Sequence, residues 1–321
     1  MRKLLFSAFA LASFGSISSA QTITTQSFGS GANAFSIDFV TIGNPGNVAD
    51  TTGNPNPVGS VAYTYNLGKY EVSRDMVTKA SLAGGLEIMM FNMTSYGGNG
   101  VNRPATGISW YEGAKFVNWL NTSTGGTAAY KFVGGTFNLW SSTDAGYNAN
   151  NLYRNSLAKY WLPSIDEWYK GAYGNLDGTW NNYPTGSDSA PTPVASGTAA
   201  NTAVYAQNDS NGPADINNAG GLSPYGTMGQ GGNVWEWNET AYDGSNNTPG
   251  ESRELRGGSW SIVDSGFSSI LDASARHDSR LGPAVEFGAL GFRVAMIPEP
   301  SSLSLLALGG VVVALGRRKR A

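Results

Sequence analysis

The sequence predicts a loop-rich α+β domain, and three observations support this prediction. The 321 residues include 43 Gly and 14 Pro, and only 13% are charged, against roughly 25% in an average globular protein. Aromatic residues reach 12%, with nine Trp, whereas disordered chains contain few aromatic residues. Helix-start signals and strand-like alternation both occur along the chain. We therefore expect a few helices and strands held together by large aromatic side chains.

The first 20 residues have the features of a secretory signal peptide. Arg2 and Lys3 are followed by an apolar run, Leu4–Phe14, and then by the small residues Ser18–Ala20. A basic start, a short apolar stretch and a small-residue cleavage site are typical of such peptides. We expect export and a mature chain that begins near Gln21, and the alternative is a buried N-terminal helix.

Strands are expected in the first part of the body. Phe35, Ile37 and Phe39 alternate with polar residues, which places them on one face of a strand. Residues 62–70 alternate Tyr with small residues and predict a second strand.

Three helices are expected, each beginning after a serine N-cap, namely Ser73, Ser109 and Ser164. The first should run to about residue 83. The other two carry capping boxes, in which Glu112 or Glu167 returns a hydrogen bond to the cap. A catalytic role for these two acids is the alternative interpretation.

Residues 177–225 consist almost entirely of turn-forming types. So long a stretch without regular structure is unusual in a compact domain. Bound calcium, which takes oxygen ligands, would organise such a segment, and disorder is the competing interpretation.

Several chemistries are excluded by composition. The chain has no Cys, so it forms no disulfide, thiolate metal site or thiol nucleophile. Its one His, His277, cannot build a multi-histidine metal site, and it is expected in a loop rather than as a base. The net charge of −3 argues against nucleic acid as a partner.

The C-terminal segment resembles the PEP-CTERM sorting signal of Gram-negative bacteria. Pro298-Glu299-Pro300 precedes an apolar run, Leu303–Leu315, and a basic cluster, Arg317–Arg320. The resemblance implies recognition by an exosortase-type membrane protease, a short transmembrane segment before processing, and delivery to the outer surface or extracellular matrix. A plain membrane anchor is the alternative. The apolar run is shorter than the roughly 20 residues of an ordinary membrane-spanning helix.

Six ordered blocks of the body resemble the sulfatase-modifying factor domain, the fold of the formylglycine-generating enzyme. They are Lys69–Ser73, Arg103–Trp110, Trp161–Trp168, Gly231–Trp237, Arg256–Trp260 and Gly291–Arg293. The resemblance implies a C-type-lectin-like α+β fold. We expect a signal peptide over 1–20, this domain over 21–297 with its core at about 63–295, and the sorting signal over 298–321.

The catalytic chemistry of the family is not expected here. The resemblance places the family's copper-binding cysteines at Ile262 and Phe267, and neither side chain binds copper. A related iron-dependent activity needs several histidines, so iron is not expected either. Both redox activities of the family are therefore expected to be absent, and whether the chain catalyses another reaction stays open.

Calcium binding is the family property that the resemblance leads us to expect here. The resemblance implies a site made of the Gly232 and Val234 carbonyls and the Glu236 carboxylate. A further family ligand falls at Gly229, which has no side-chain oxygen. A buried carboxylate that is hydrogen-bonded to backbone amides is the alternative for Glu236.

A second calcium site is implied near Asn201, Thr202 and Asp209, where the blocks align poorly. Other motif residues are expected to be structural: Asn233, Trp235, Trp237, Arg256, Gly257, Gly258 and Arg293. The alternative for the arginines, including Arg276, is anion binding.

Three functions remain open. The first is a non-catalytic surface or matrix protein that binds exopolysaccharide or another matrix ligand. The second is an enzyme of unknown reaction that uses acids such as Glu236, Glu239 or Asp243. The third is a structural matrix component without a specific ligand.

Overall fold

The computed structural model describes residues 22–261, 268–276 and 280–298. The predicted signal peptide, Ile262, Phe267, His277, and the sorting signal from Glu299 onward lie outside the described residues. No helix among the described residues is both long and apolar enough to cross a bilayer.

Three α-helices and twelve strands form the regular structure of the described residues. The helices are α1 (Arg74–Gly84), α2 (Trp110–Ser123) and α3 (Ile165–Tyr173). The first six strands are β1 (Ile23–Phe28), β2 (Phe35–Ile42), β3 (Tyr65–Gly68), β4 (Lys131–Val133), β5 (Thr136–Asn138) and β6 (Tyr160–Trp161). The remaining strands are β7 (Thr192–Pro193), β8 (Thr202–Ala203), β9 (Trp235–Ala241), β10 (Arg253–Arg256), β11 (Leu290–Gly291) and β12 (Ala295–Met296). Two 3₁₀ turns occupy Gly31–Asn33 and Ser268–Leu271. The predicted α+β class is confirmed.

All three serine caps are confirmed. The Ser73, Ser109 and Ser164 side chains each accept a hydrogen bond from the third amide of the helix that follows. Glu112 and Glu167 accept a bond from the cap amide at 2.8 Å and 2.7 Å. Both glutamates therefore act as caps.

A five-stranded antiparallel sheet in the order β1-β2-β3-β12-β6 forms one side of the core. Ile23, Val40, Leu67, Ala295 and Trp161 lie in one row across it. Its core face includes Phe35, Ile37 and Phe39, which are buried as the alternation predicts. The second strand prediction, 62–70, is realised as the shorter β3.

A three-stranded sheet in the order β10-β9-β11 holds the central motifs. Strand β9 pairs antiparallel with β10 and parallel with β11. Between the sheets and helices, aromatic rings fill the core. The Trp110 ring, for example, lies 5.1 Å from Tyr130 and 5.0 Å from Phe137, edge to face in both cases.

The turn-rich segment 177–225 is folded, so the disorder alternative is wrong. Its Val204, Tyr205, Ala219 and Tyr225 are buried. Short strands β7 and β8 pair with each other, and β8 bridges to Gly220. Backbone hydrogen bonds and a few anchoring side chains organise this segment.

Replacing the α2 cap, Ser109→Ala, is expected to lower the free energy of unfolding by about 1 kcal/mol, because an amide of the first turn loses its acceptor. Urea unfolding measures the change. The control Ser245→Ala, at an exposed turn serine, should stay within about 0.5 kcal/mol of the wild type. Equal losses in both variants would contradict the capping role.

Candidate functional site

An aromatic pocket of about 440 Å³ opens on the surface of the domain. Five rings and one carboxylate line it: Phe91, Tyr96, Trp235, Trp260, Phe287 and Asp209. Phe91 and Phe287 are 43% and 54% exposed, and the two tryptophans are buried at the base. We call this cavity the aromatic pocket. It combines apolar walls with few polar groups, as small-molecule sites do.

Backbone pairing positions the two tryptophans. Trp235 begins β9, and its amide donates to the Ala289 carbonyl at 2.9 Å. The Trp260 amide donates to the Asn233 carbonyl at 2.9 Å, and the Trp260 carbonyl accepts from Gln207 at 2.8 Å. Main-chain hydrogen bonds therefore join three segments that are distant in sequence, around Trp235, Trp260 and Ala289, at the base of the pocket.

A buried carboxylate fixes the turn that precedes Trp235. Glu71 is 1% exposed and accepts hydrogen bonds from the Asn233 side chain at 2.5 Å and from the Val234 amide at 3.2 Å. Asn233 itself is left-handed, with φ of 61°. Burial, together with the nearby Glu236 charge, raises the pKa of Glu71 well above its ordinary value. In the sequence, Glu71 belongs to the Lys69–Ser73 block, and nothing in that block alone indicates what its carboxylate contacts.

One polar atom at the base of the pocket is left over. The Trp260 indole N–H is buried and has no hydrogen-bond partner in the part of the chain that the structure describes. Buried donors are normally paired, so this unpaired N–H is an exception in the structure. Ser261, which also lines the pocket, immediately precedes Ile262. In sequence, this lining residue thus directly precedes the position to which the resemblance assigns the family's first cysteine.

Behind the pocket, Glu236 and Arg293 form a fully buried ion pair. Both side chains are 0% exposed. Arg293 Nε and Nη2 donate to the two carboxylate oxygens at 2.6 Å each, and Trp168 Nε1 donates to Oε2 at 2.7 Å. Arg293 also donates to the Gly68 and Met228 carbonyls at 2.9 Å each. Arg293 therefore has a structural role, because it fixes the position of the Glu236 carboxylate.

This pairing bears on the implied calcium site. Glu236 Oε2 accepts two bonds and Oε1 accepts one, so a single acceptor position remains on Oε1. The guanidinium of Arg293 already balances the carboxylate charge. A calcium ion would have to share Oε1 with Arg293 or displace the guanidinium from that oxygen. The residues as placed thus do not need a metal ion, and calcium at Gly232, Val234 and Glu236 stays a prediction.

Glu71 occupies the space beside Gly229, the position where the family has a further ligand. A Cβ built on Gly229 would lie 3.1 Å from Glu71 Oε2. An oxygen is therefore present there, although it comes from another part of the chain and accepts the bond from Asn233.

The residues of the second implied calcium site, Asn201, Thr202 and Asp209, each contact different partners. Asn201 and Thr202 lie at the start of β8, where Asn201 accepts from Thr185 and Thr202 donates to Ala199. Asp209 is exposed and lines the aromatic pocket. Within the described ranges, no three acidic or histidine side chains group as metal ligands would. This site also stays a prediction.

A second buried charge cluster lies between β9 and α3. Arg154 donates to Glu239 through Nε at 2.8 Å and to Glu167 through Nη2 at 3.0 Å, and it stacks 4.7 Å from the Trp161 ring. Burial alone would raise the pKa of Glu167, but the charge of Arg154 outweighs it and lowers that pKa below its ordinary value. Glu239 thus has a structural partner, and sequence reasoning missed Arg154 because it lies 85 residues away.

The remaining motif residues are packed into the scaffold. Trp237 donates to the Ile108 carbonyl at 2.7 Å, and Arg256 donates to the carbonyls of Asn54 and Ala273. Gly257 has φ of 99°, and a Cβ there would lie 3.0 Å from the Gln230 carbonyl oxygen. Gly258 is likewise left-handed, and Arg276 pairs with Glu254.

Of the sorting motif, Pro298 is described and Glu299 and Pro300 are not.

Because the Glu236–Arg293 ion pair is buried, replacing one carboxylate oxygen by an amide nitrogen is expected to lower the free energy of unfolding strongly. Glu236→Gln is expected to cost about 3 kcal/mol or more, because Arg293 is left as an uncompensated buried charge. Equilibrium unfolding in urea measures it. The control Lys79→Gln breaks a surface pair with Asp75 and should cost about 0.5 kcal/mol or less. Similar costs in the two variants would show that the buried pair is not special.

Calcium binding at Glu236 has a separate test. Saturating calcium should raise the unfolding temperature of the wild-type body above its value in chelator, because an ion that binds only the folded state stabilises it. Glu236→Gln should melt at the same temperature in both solutions. Identical wild-type melting with calcium and with chelator would contradict this prediction.

Comparisons with known proteins bear on the fold and on both resemblances. The family model of the sulfatase-modifying factor enzyme 1-like domain matches residues 36–297, and that of the PEP-CTERM protein-sorting motif matches residues 297–320. A comparison with curated proteins found no match.

Three solved structures share the fold. Treponema denticola variable protein 1 aligns with a TM-score of 0.55 and 20% identity over 86% of this chain and 100% of its own. CarF aligns with a TM-score of 0.58 and 16% identity over 82% of this chain and 99% of its own. PvdO from Pseudomonas aeruginosa aligns with a TM-score of 0.51 and 16% identity over 85% and 98%. At these identities the likeness shows the fold alone.

The sorting motif indicates an exported, cell-surface protein of a Gram-negative bacterium that exosortase-type machinery processes. The family model covers most of the chain, residues 36–297. The chain therefore belongs to the sulfatase-modifying factor family, with a PEP-CTERM sorting signal at its C-terminal end.

Proposed function

We propose that this exported domain binds a matrix carbohydrate, such as exopolysaccharide, in the aromatic pocket and does not transform it. The observation that carries the proposal is the set of five aromatic rings that line this cavity. Ser261, another lining residue, directly precedes in sequence the position to which the resemblance assigns the family's first cysteine. The chain has no cysteine to supply the family's oxidase chemistry there.

The pocket suits a sugar because it offers two kinds of contact. The exposed faces of Phe91 and Phe287 can stack on the apolar face of a pyranose ring. The Asp209 carboxylate, which lines the pocket, can accept hydrogen bonds from sugar hydroxyl groups. A few polar groups among apolar walls fix the orientation of a ligand.

The enzyme alternative is supported less well by the placement of the acids. Glu236 and Glu239 are both 0% exposed and ion-paired, and Asp243 lies in an exposed turn where it accepts from the Ser245 amide. Glycoside hydrolysis needs two carboxylates that face each other across the bond. Among the described residues, Asp209 is the one carboxylate that lines the pocket.

A structural matrix component without a ligand is the remaining alternative. It gives no reason for apolar rings such as Phe91 and Phe287 to be held exposed around a cavity. Exposed clusters of this kind generally mark binding sites.

Replacing the exposed rings should weaken carbohydrate binding. Phe91→Ala and Phe287→Ala are each expected to reduce the affinity of the purified body for exopolysaccharide by about tenfold, or 1.4 kcal/mol, since each removes one stacking face. Affinity electrophoresis in gels that contain the polysaccharide measures the change.

Tyr147→Ala provides the control, because Tyr147 is 37% exposed and does not line the pocket. Its affinity should match the wild type. Sugar released from the polysaccharide by wild type but not by Asp209→Asn would favour the enzyme alternative. Failure of the wild-type body to bind any matrix polysaccharide would contradict the proposal.

A further inference from the structure

The chain leaves the fold at the end of a central strand, directly before the sorting motif. Strand β12 pairs with β3 on one side and β6 on the other. The Ile297 amide still donates to the Lys159 carbonyl at 3.0 Å. Pro298, the first residue of the motif, follows at once. The folded sheet and the motif are therefore separated by no linker.

The membrane has to lie close to this point while the C-terminal apolar run is inserted in it, as the resemblance to the sorting signal implies. Five residues, 298–302, separate Ile297 from the apolar run that starts at Leu303. Fully extended, they reach about 17 Å. The edge of the sheet at which β12 ends must therefore stay within this reach of the membrane surface.

Register identifies the residues of that edge. Strands β3 and β6 run antiparallel to β12, so the residues that precede them lie where β12 ends. Tyr63 precedes β3, and Leu157 and Lys159 precede β6. Together with Ile297 they form what we call the exit edge. Tyr63, Leu157 and Ile297 are 47%, 59% and 48% exposed.

The aromatic pocket lies at the other end of the same segment. Leu290 lines the pocket, and the chain then runs beside residues 68–72, where Val72 and Gly68 donate to the Phe292 and Val294 carbonyls. It reaches β12 only after this stretch.

A protease that cuts at the motif needs several extended residues on each side of the bond. Ile297 is the only residue between the end of β12 and Pro298. Met296, the last residue of β12, is paired with both β3 and β6. Either β12 is pulled from the centre of the sheet, which breaks two ladders, or the protease approaches the fold itself. The second course keeps the sheet intact and brings exposed apolar side chains against the enzyme.

We propose that the exit edge is a docking face for the membrane-embedded sorting protease. Processing then depends on this surface as well as on the motif. The inference concerns sorting, and it stands whether or not the aromatic pocket binds carbohydrate.

The test follows processing of the full-length precursor in cells that contain an exosortase-type protease. Leu157→Asp, which places a charge on the exit edge, is expected to lower the processed fraction several-fold. The control Val101→Asp, at a residue that is 61% exposed near the start of α1, should be processed like the wild type. Thermal melting of both purified bodies checks that they fold.

A flexible insert separates docking from motif recognition. With about ten Gly and Ser residues between Ile297 and Pro298, the protease can reach the motif without touching the sheet. Leu157→Asp should then have no effect on processing. Wild-type processing of Leu157→Asp at the native spacing would overturn the proposal, as would an equal loss in Val101→Asp. Loss of membrane association by Leu157→Asp in cells without the protease would assign the edge to lipid instead, and would also overturn it.

Discussion

The fold depends on one arginine that reaches both of its main sheets. Arg293 pairs with Glu236 of β9 and with the Gly68 carbonyl of β3, and Glu236 in turn accepts from Trp168 of α3. A bidentate arginine–carboxylate pair fixes both distance and angle. Two charges at zero exposure are tolerated only because every one of these partners is in place. The relative position of the two sheets, and hence the base of the aromatic pocket, follows from this cluster.

A protein with few charges uses aromatic rings to accommodate the cations that it buries. Arg253 has no exposed surface, and its guanidinium lies 4.1 Å from the Tyr153 ring and 4.4 Å from the Trp110 ring. Burial lowers the pKa of Arg253. Its nitrogens also donate to backbone carbonyls, including that of Pro249. Ring faces and main-chain oxygens thus replace the carboxylate that such a residue usually requires.

Local signals explain which parts of the structure the sequence could predict. A serine cap and its glutamate are three residues apart, so the starts of α2 and α3 could be recognised from a few letters. The family blocks indicated the fold in the same way, because each block is a short run of neighbouring residues that can be recognised in the sequence. The α+β class and the helix positions followed from these signals.

The pocket could not be predicted, since its walls come together only in three dimensions. Phe91, Asp209, Trp260 and Phe287 belong to segments that lie tens of residues apart and have no common spacing. The same holds for Glu71, whose partner Asn233 is 162 residues away. Sequence analysis treated the motif tryptophans as core, and it had no signal for the exposed phenylalanines that complete the site.

The row that joins Ile23 to Ala295 across three strand spacings has a consequence for engineering. Strand β1 begins at Ile23, in the same row as Ala295 of β12, the last strand. These two residues are at most about 14 Å apart. A short peptide of about five residues would bridge them. Domains of this geometry tolerate circular permutation and transplantation into a host loop. The described domain could thus be carried as an insert in a loop of an unrelated protein.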